Sequence, residues 1–206
     1  MGRLNLYESL LRRWQPAVNL VAPATLPQIW GRHFADSAQL AALVPATARC
    51  LVDLGSGGGF PGLVLAVILH GKGLQRVILV ESDTRKAAFL REVARQTCVP
   101  VEILSIRIEK AATQLKGAEV DVVTARALAP LDRLLALAAP LIGADTVGLF
   151  LKGRDAQAEI EAAGRHWSFE VSLVQSVTDA NASIVAIRRL RGQPGPEGKV
   201  GARTEG

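Results

Sequence analysis

Two cysteines, three histidines and no apolar run of the roughly 18 residues that a bilayer-spanning helix needs are what this 206-residue chain offers, and each scarcity removes a class of protein. Cys50 and Cys98 form no CxxC pair and have no histidines at ligand spacing, so buried, reduced thiols are expected rather than a disulfide framework or a zinc site. His33, His70 and His166 are scattered, and no metal centre is expected. The N-terminal stretch sets Arg3, Glu8, Arg12 and Arg13 among its leucines and resembles neither a signal peptide nor an anchor. A cytoplasmic protein with no membrane contact is the expectation, and no internal repeat is present.

Hydrophobic content of 49% is too high for a disordered chain, and the length suits one domain with a substantial core and small additions. The net charge of +5, supplied mostly by arginine, fits a polyanionic partner. It fits equally a composition that is simply rich in arginine and alanine.

Leu4, Tyr7, Leu10, Leu11 and Trp14 draw one stripe on a helix expected to end before Pro16. Thr25 and Gln28 have capping-box spacing at the start of a second helical region, which Pro45 stops. Within it Arg32 and Asp36, or His33 and Asp36, are spaced to pair, and a solvated ion pair is the plain alternative to a functional cluster. From Cys50 onward apolar runs at 51–54, 76–80, 101–104, 120–124 and 146–151 read as strands. They alternate with helices at 62–69, 84–96, 108–115 and 131–137, the pattern of a parallel sheet covered on both faces. Pro130 suits a first helical residue, and Asp83 and Asp155 suit caps. Two further strands, 166–174 and 183–190, have no helix between them and read as a terminal antiparallel pair. Residues 192–206 are nearly free of apolar side chains, and a disordered tail is expected there.

The informative stretch is VDLGSGGGFPG, Val52–Gly62, a strand running into a turn with five glycines and then a helix. Gly57, Gly59 and Gly62 satisfy GxGxxG, with Gly55 and Gly57 offering an overlapping register, and such turns let a ligand lie against the backbone at a helix start. A glycine turn without a ligand is the alternative. Glu81 ends the next apolar run about 20 residues beyond the last glycine, where a carboxylate can accept ribose hydroxyls. Ligands of open parallel sheets bind at the carboxyl ends of the strands. That edge gathers Asp53, Glu81, Glu109, Arg107, Arg126 and Lys152. Arg126 sits among Val122, Val123, Ala125, Ala127 and Leu128, so its charge needs a partner, either a ligand anion or a protein carboxylate.

These residues resemble a known family, the bacterial guanine-7 methyltransferases of small-subunit ribosomal RNA. The similarity runs from about Leu10 to Leu190. It rests on Asn19-Leu20, Arg32-His33 with Asp36-Ser37, VDLGSGGGFPG, Glu81-Ser82, Lys86 to Leu90, Arg107-Ile108-Glu109, Thr124 to Ala127 and Leu151-Lys152-Gly153, in that order. Family members generally carry a longer N-terminal helical extension, an aromatic residue where this chain has Val18, and a small residue where it has Ile106.

The resemblance implies an α/β, Rossmann-like methyltransferase fold: a mostly parallel sheet with the terminal antiparallel pair, residues 46–191, under a helical cap, residues 1–45, in one domain. It implies S-adenosylmethionine as cofactor, S-adenosylhomocysteine as product, and 16S ribosomal RNA or the small-subunit particle as partner; a monomer without a metal is expected beside it. Carried over, Asp53, Gly55, Gly57, Gly59, Phe60, Glu81, Ile108, Glu109 and Arg126 are the cofactor side, and His33, Asp36 and Lys152 the substrate side. Two rivals are set beside it, a nicotinamide-dinucleotide oxidoreductase sharing the glycine turn and a noncatalytic RNA-binding assembly factor.

Overall fold

Five of the apolar runs become parallel strands, the central ones buried on both faces and the edge strand only half-buried. They are β1 (Cys50–Leu54), β2 (Arg76–Val80), β3 (Glu102–Leu104), β4 (Val122–Arg126) and β5 (Val147–Lys152). β6 (Trp167–Gln175) and β7 (Ser183–Gly192) complete a seven-stranded sheet in the order β3-β2-β1-β4-β5-β7-β6, with β7 antiparallel to both β5 and β6. The structure is a computed structural model that describes residues 2–192.

One core lies under α1 (Arg3–Val18), α3 (Gly62–Ile68) and α4 (Thr84–Thr97), which take residues such as Leu51, Val122 and Leu149 from the sheet. The other lies under α5 (Ala111–Gln114), α6 (Leu131–Ala138) and α7 (Ala156–Ala163), which take Val52, Leu54, Val123, Ala125 and Phe150. Alternation along β1 and β4 therefore decides which face each polar residue joins. Asp53, Thr124 and Arg126 fall on the face of the cap. The chain builds outward from β1 through β2 to β3, then crosses to β4 and β5, so strand order reverses between β1 and β4 and a crevice opens at their carboxyl ends.

The cap departs from the expected pattern. α1 runs through Pro16 to Val18, because a proline in the last turn loses one amide bond where few remain to be made; the helix ends instead at Asn19, in the left-handed conformation, whose N–H bonds Gln15 O. Thr25 does not open a capping box. It lies inside a 3-10 turn (Pro23–Gln28) and its hydroxyl bonds Ala22 O. The second helical region is a chain of short pieces: a π-turn (Trp30–Ala35), α2 (Asp36–Ala38) and a 3-10 turn (Gln39–Ala42). A π-turn closes i→i+5 bonds, so residues four apart are rotated out of line, and Asp36 pairs with neither Arg32 nor His33.

Smaller corrections lie elsewhere. Pro130 is the residue before α6 rather than its first, and Asp155 precedes α7 without a side-chain cap, whereas Asp83 caps α4 through the amides of Arg85 and Lys86 as expected. Residues 108–115 divide into a 3-10 turn (Ile108–Lys110) and α5, and β4 starts two residues later than its apolar run. Cys98 is exposed, whereas Cys50 is buried as expected. Gly192, assigned to the tail, is the last residue of β7 and pairs with Trp167; the rest of the expected tail, 193–206, lies outside the described residues. No helix among the described residues is long and apolar enough to cross a membrane.

Candidate functional site

The site begins with the register of β1 on β4, which sets Asp53 opposite Thr124. Thr124 Oγ1 donates to Asp53 Oδ1 over 2.7 Å. Asp53 is wholly buried, and Oδ2 accepts no well-formed hydrogen bond although the Gly62 amide is near. Burial pushes its pKa up to about 6, against the pull of Thr124, Ser56 and Gly62.

The turn that follows is pinned from both sides. Gly55 N and Ser56 N donate to Val80 O at 2.9 and 3.1 Å. Gly57 N donates to Glu81 Oε2 and Asp83 N to Glu81 Oε1, both over 2.8 Å, so Glu81 fixes the turn while each oxygen keeps a further lone-pair direction for a ligand hydroxyl. The glycines serve different ends. Gly57, at φ 55°, has open space where a side chain would stand, its closest neighbour being Gly55 O at 3.9 Å, and presents bare backbone to the crevice. Gly59 and Gly62 are packing glycines: a Cβ on Gly59 would strike the Tyr7 hydroxyl, and one on Gly62 would stand 2.7 Å from Asp53 Cγ.

Tyr7 reaches the turn from α1. Its hydroxyl donates to Gly58 O, and its ring stacks on Phe60 at 5.6 Å and meets Phe34 edge-on at 5.0 Å. Phe60 is therefore buried between cap and turn. The Arg126 guanidinium lies over its ring, 5.0 Å from the centroid, a cation–π contact.

Arg126 ends β4 and reaches into the cap. Nη2 is 2.7 Å from His33 Nδ1, and Nη1 donates to Arg32 O at 3.0 Å and faces Asp36 Oδ2 at 3.5 Å. A guanidinium only donates, so His33 Nδ1 must accept, and the ring proton sits on Nε2 and donates to Thr25 Oγ1 at 2.7 Å. Burial first, then Arg126 and Arg32, lowers the His33 pKa to about 4, and the imidazole is neutral near pH 7. Burial also lowers the pKa of Arg126, with Asp36 opposing.

Asp36 Oδ1 accepts from Gln39 Nε2 and Thr178 Oγ1, each at 2.9 Å. Lys152, at the end of β5, donates to Ala129 O at 2.6 Å and to Glu159 Oε2 at 2.7 Å, and the same Glu159 oxygen accepts the Leu131 amide. His33, Asp36, Arg126, Leu128, Lys152 and Thr178 line one cavity of about 660 Å³, within the size range of small-molecule and cofactor sites.

The sequence-derived residues thus separate into groups. His33, Asp36, Arg126 and Lys152 share the cavity. Gly55, Gly57 and Glu81 form the neighbouring edge, where Leu128 covers Gly55. Ile108 and Glu109 stand beyond β3, in a 3-10 turn, half-buried and exposed respectively. Asp53, Gly59 and Phe60 are buried beneath the turn and support it. Arg126 has a protein carboxylate beside it, Asp36.

Sequence reasoning missed Tyr7, Gln39, Glu159 and Thr178, whose partners are remote or carry no local signature. Ser105, just past β3, was also passed over; its buried hydroxyl has no partner among the described residues. Those residues contain no group of three or more His, Cys, Asp or Glu side chains arranged to hold a metal ion.

Residues 1–188 match the family GidB, rRNA small subunit methyltransferase G. The chain is 51% identical over 196 residues, 95% of its length and 85% of the relative's, to ribosomal RNA small subunit methyltransferase G of Parvibaculum lavamentivorans. It is 52% identical over 197 residues, 95% of its length and 92% of the relative's, to the protein of the same name from Paramagnetospirillum magneticum. Among solved structures it resembles an O-methyltransferase from Bacillus cereus in complex with SAH, with a TM-score of 0.60, 17% identity, and coverage of 89% of this chain and 90% of that one. That likeness bears on the fold, which is the methyltransferase form of the Rossmann-like sheet.

Proposed function

Because the chain belongs to the rRNA small subunit methyltransferase G family, a family of S-adenosylmethionine-dependent enzymes acting on ribosomal RNA, we propose that it methylates N7 of a guanosine in 16S ribosomal RNA. The family and the fold favour this reading over the oxidoreductase and the noncatalytic assembly factor. We take the acceptor to be presented by the RNA or the small-subunit particle to a cytoplasmic monomer whose cap, 1–45, and core, 46–191, work as one domain.

The residues fit the cofactor. Gly57 offers bare backbone, and Glu81 stands hydrogen-bonded to that backbone with acceptor capacity left for a ribose. Ile108 and Glu109, in the 3-10 turn beyond β3, would flank the adenine. S-adenosylmethionine supplies a methyl group on a positively charged sulfur.

Guanine N7 carries an in-plane lone pair and no proton, so its attack needs no general base. His33, neutral and committed through both nitrogens, is accordingly an orienting residue for Arg126. Lys152, already paired with Glu159, braces the β4–α6 loop that forms the cavity wall. What remains is positioning, and Asp36 carries the proposal. Its Oδ1 is gripped by two donors while Oδ2, only loosely opposed by Arg126 at 3.5 Å, leaves negative charge in the cavity for the positive charge that develops on the base.

The test is transfer of labelled methyl from S-adenosylmethionine to naked small-subunit RNA and to the particle, followed by mapping. A single 7-methylguanosine is expected with the wild type, and its loss with Asp36→Ala. Label at another atom, or an undiminished yield from Asp36→Ala, contradicts the proposal.

A further inference from the structure

The loop between β6 and β7, residues 176–182, supplies Thr178 to Asp36 and closes one side of the cavity through Thr178, Asp179 and Ala182. It is held rigid by its own bonds. Ser176 N donates to Ala182 O and Ala182 N to Asp179 O, both at 3.0 Å, and Gln175 Nε2 donates to Ala180 O and Ala182 O at 3.0 and 2.9 Å. It is also tied to the cap: Arg32 pairs with Asp179 at 3.0 Å, and Val177 N donates to Gln39 Oε1 at 2.9 Å.

Donor and acceptor chemistry fixes a direction across these contacts. The Gln39 amide nitrogen only donates, and it reaches Ser176 Oγ at 3.1 Å. Ser176 Oγ lies 3.0 Å from Thr178 Oγ1, and Thr178 Oγ1 lies 2.9 Å from Asp36 Oδ1. An ionised carboxylate only accepts, so Thr178 spends its proton on Asp36 and Ser176 donates to Thr178. The chain runs Gln39, Ser176, Thr178, Asp36, each bond polarising the next.

We propose that Thr178 is a positioning residue for methyl transfer, holding the Asp36 carboxylate turned toward the acceptor and making the C-terminal hairpin part of the catalytic site. The inference rests on the reading in which Asp36 faces the guanine. Without the Thr178 hydroxyl, Gln39 Nε2 is left as the side-chain donor on Oδ1, and the less firmly held Asp36 turns from its present 3.5 Å separation toward a closer ion pair with Arg126, withdrawing its charge from the cavity.

Single-turnover methyl transfer at saturating S-adenosylmethionine and RNA is measured for the wild type, Thr178→Val, Thr178→Ser, Asp36→Asn and the double variant Thr178→Val/Asp36→Asn. S-adenosylhomocysteine affinity and melting temperature are read alongside. Thr178→Val is expected to slow transfer about tenfold, the rate factor for losing one hydrogen bond to a charged group, with RNA KM and cofactor affinity unchanged. Thr178→Ser should restore the rate, and the double variant should be no slower than Asp36→Asn alone, because the hydroxyl acts only through that carboxylate. A normal rate for Thr178→Val beside a slow Asp36→Asn overturns the inference and leaves the reading of Asp36 standing. Additive losses in the double variant, or no rescue by serine, also overturn it. A normal rate for Asp36→Asn overturns the reading itself and the inference with it.

Discussion

At the scale of single residues, the site rests on two buried charges whose surroundings differ. Asp53 is enclosed without full pairing, and its folded-state pKa of about 6 lies above the ordinary 3.8. Burial therefore favours the protonated form; that stability is fully present below about pH 4 and is lost as pH rises through about 6. Asp53→Asn stays neutral. The stability of the wild type relative to this variant should fall by about 2–3 kcal/mol between about pH 4 and pH 7, measured by denaturant unfolding. His33 is lowered to about 4 and loses its contribution in the opposite direction, as pH falls below its ordinary 6.5, but it is common to both proteins and drops out of the difference. A pH-independent difference contradicts the burial argument. Lys152 is the second charge, with its side chain 7% exposed against 27% for Glu159. Glu159→Gln strands the ammonium and should cost about 3–5 kcal/mol, whereas Lys152→Met removes the charge and should cost less; equal losses in thermal or urea unfolding count against an uncompensated charge as the cause. Lys152 itself was legible as a strand-end cation. Glu159 was not, because on α7 it reads as one more solvent-facing acid.

At the scale of elements, the glycine turn was legible because strand, turn and helix follow one another in sequence and their chemistry is local. The clamp on it was not. Tyr7 reads as one more apolar position on the α1 stripe, and periodicity gives the face it occupies but not its partner 51 residues away. Tyr7→Phe keeps the ring stacked on Phe60 and removes only the donor to the buried Gly58 carbonyl. A loss of about 1–3 kcal/mol in urea unfolding is expected, together with weaker S-adenosylhomocysteine binding, since the turn loses its attachment to the cap. Full stability with wild-type binding would show that the aromatic packing alone holds the turn. The cap's short helices were misread for a related reason: Pro23 and Pro27 and the π-turn at Trp30–Ala35 break the 3.6-residue period on which helix reading depends.

At the scale of the whole molecule, the parallel sheet and the edge that carries the site followed from the alternation of strands and helices, whereas the strand order and its reversal between β1 and β4 did not. Which arginines share the cavity's edge of the sheet did not follow, because that requires strand direction. β7 runs antiparallel to β5, with Ser183 beside Lys152, so Arg188, Arg189 and Arg191 are carried toward the edge opposite the cavity. Arg85, at the start of α4, and Arg32, on the cavity wall, stay on the near edge. In the proposed function the molecule carries two half-sites on one sheet edge, a cofactor half centred on Gly57 and Glu81 and an acceptor half centred on Asp36, joined through Phe60 and Arg126. Titration of S-adenosylhomocysteine into the wild type, Glu81→Ala and Asp36→Asn tests that division most directly. Glu81→Ala is expected to weaken binding tenfold or more, corresponding to roughly 1.4 kcal/mol or more, while Asp36→Asn binds within about twofold of the wild type. Equal weakening in both variants, or none in Glu81→Ala, would contradict the two half-sites.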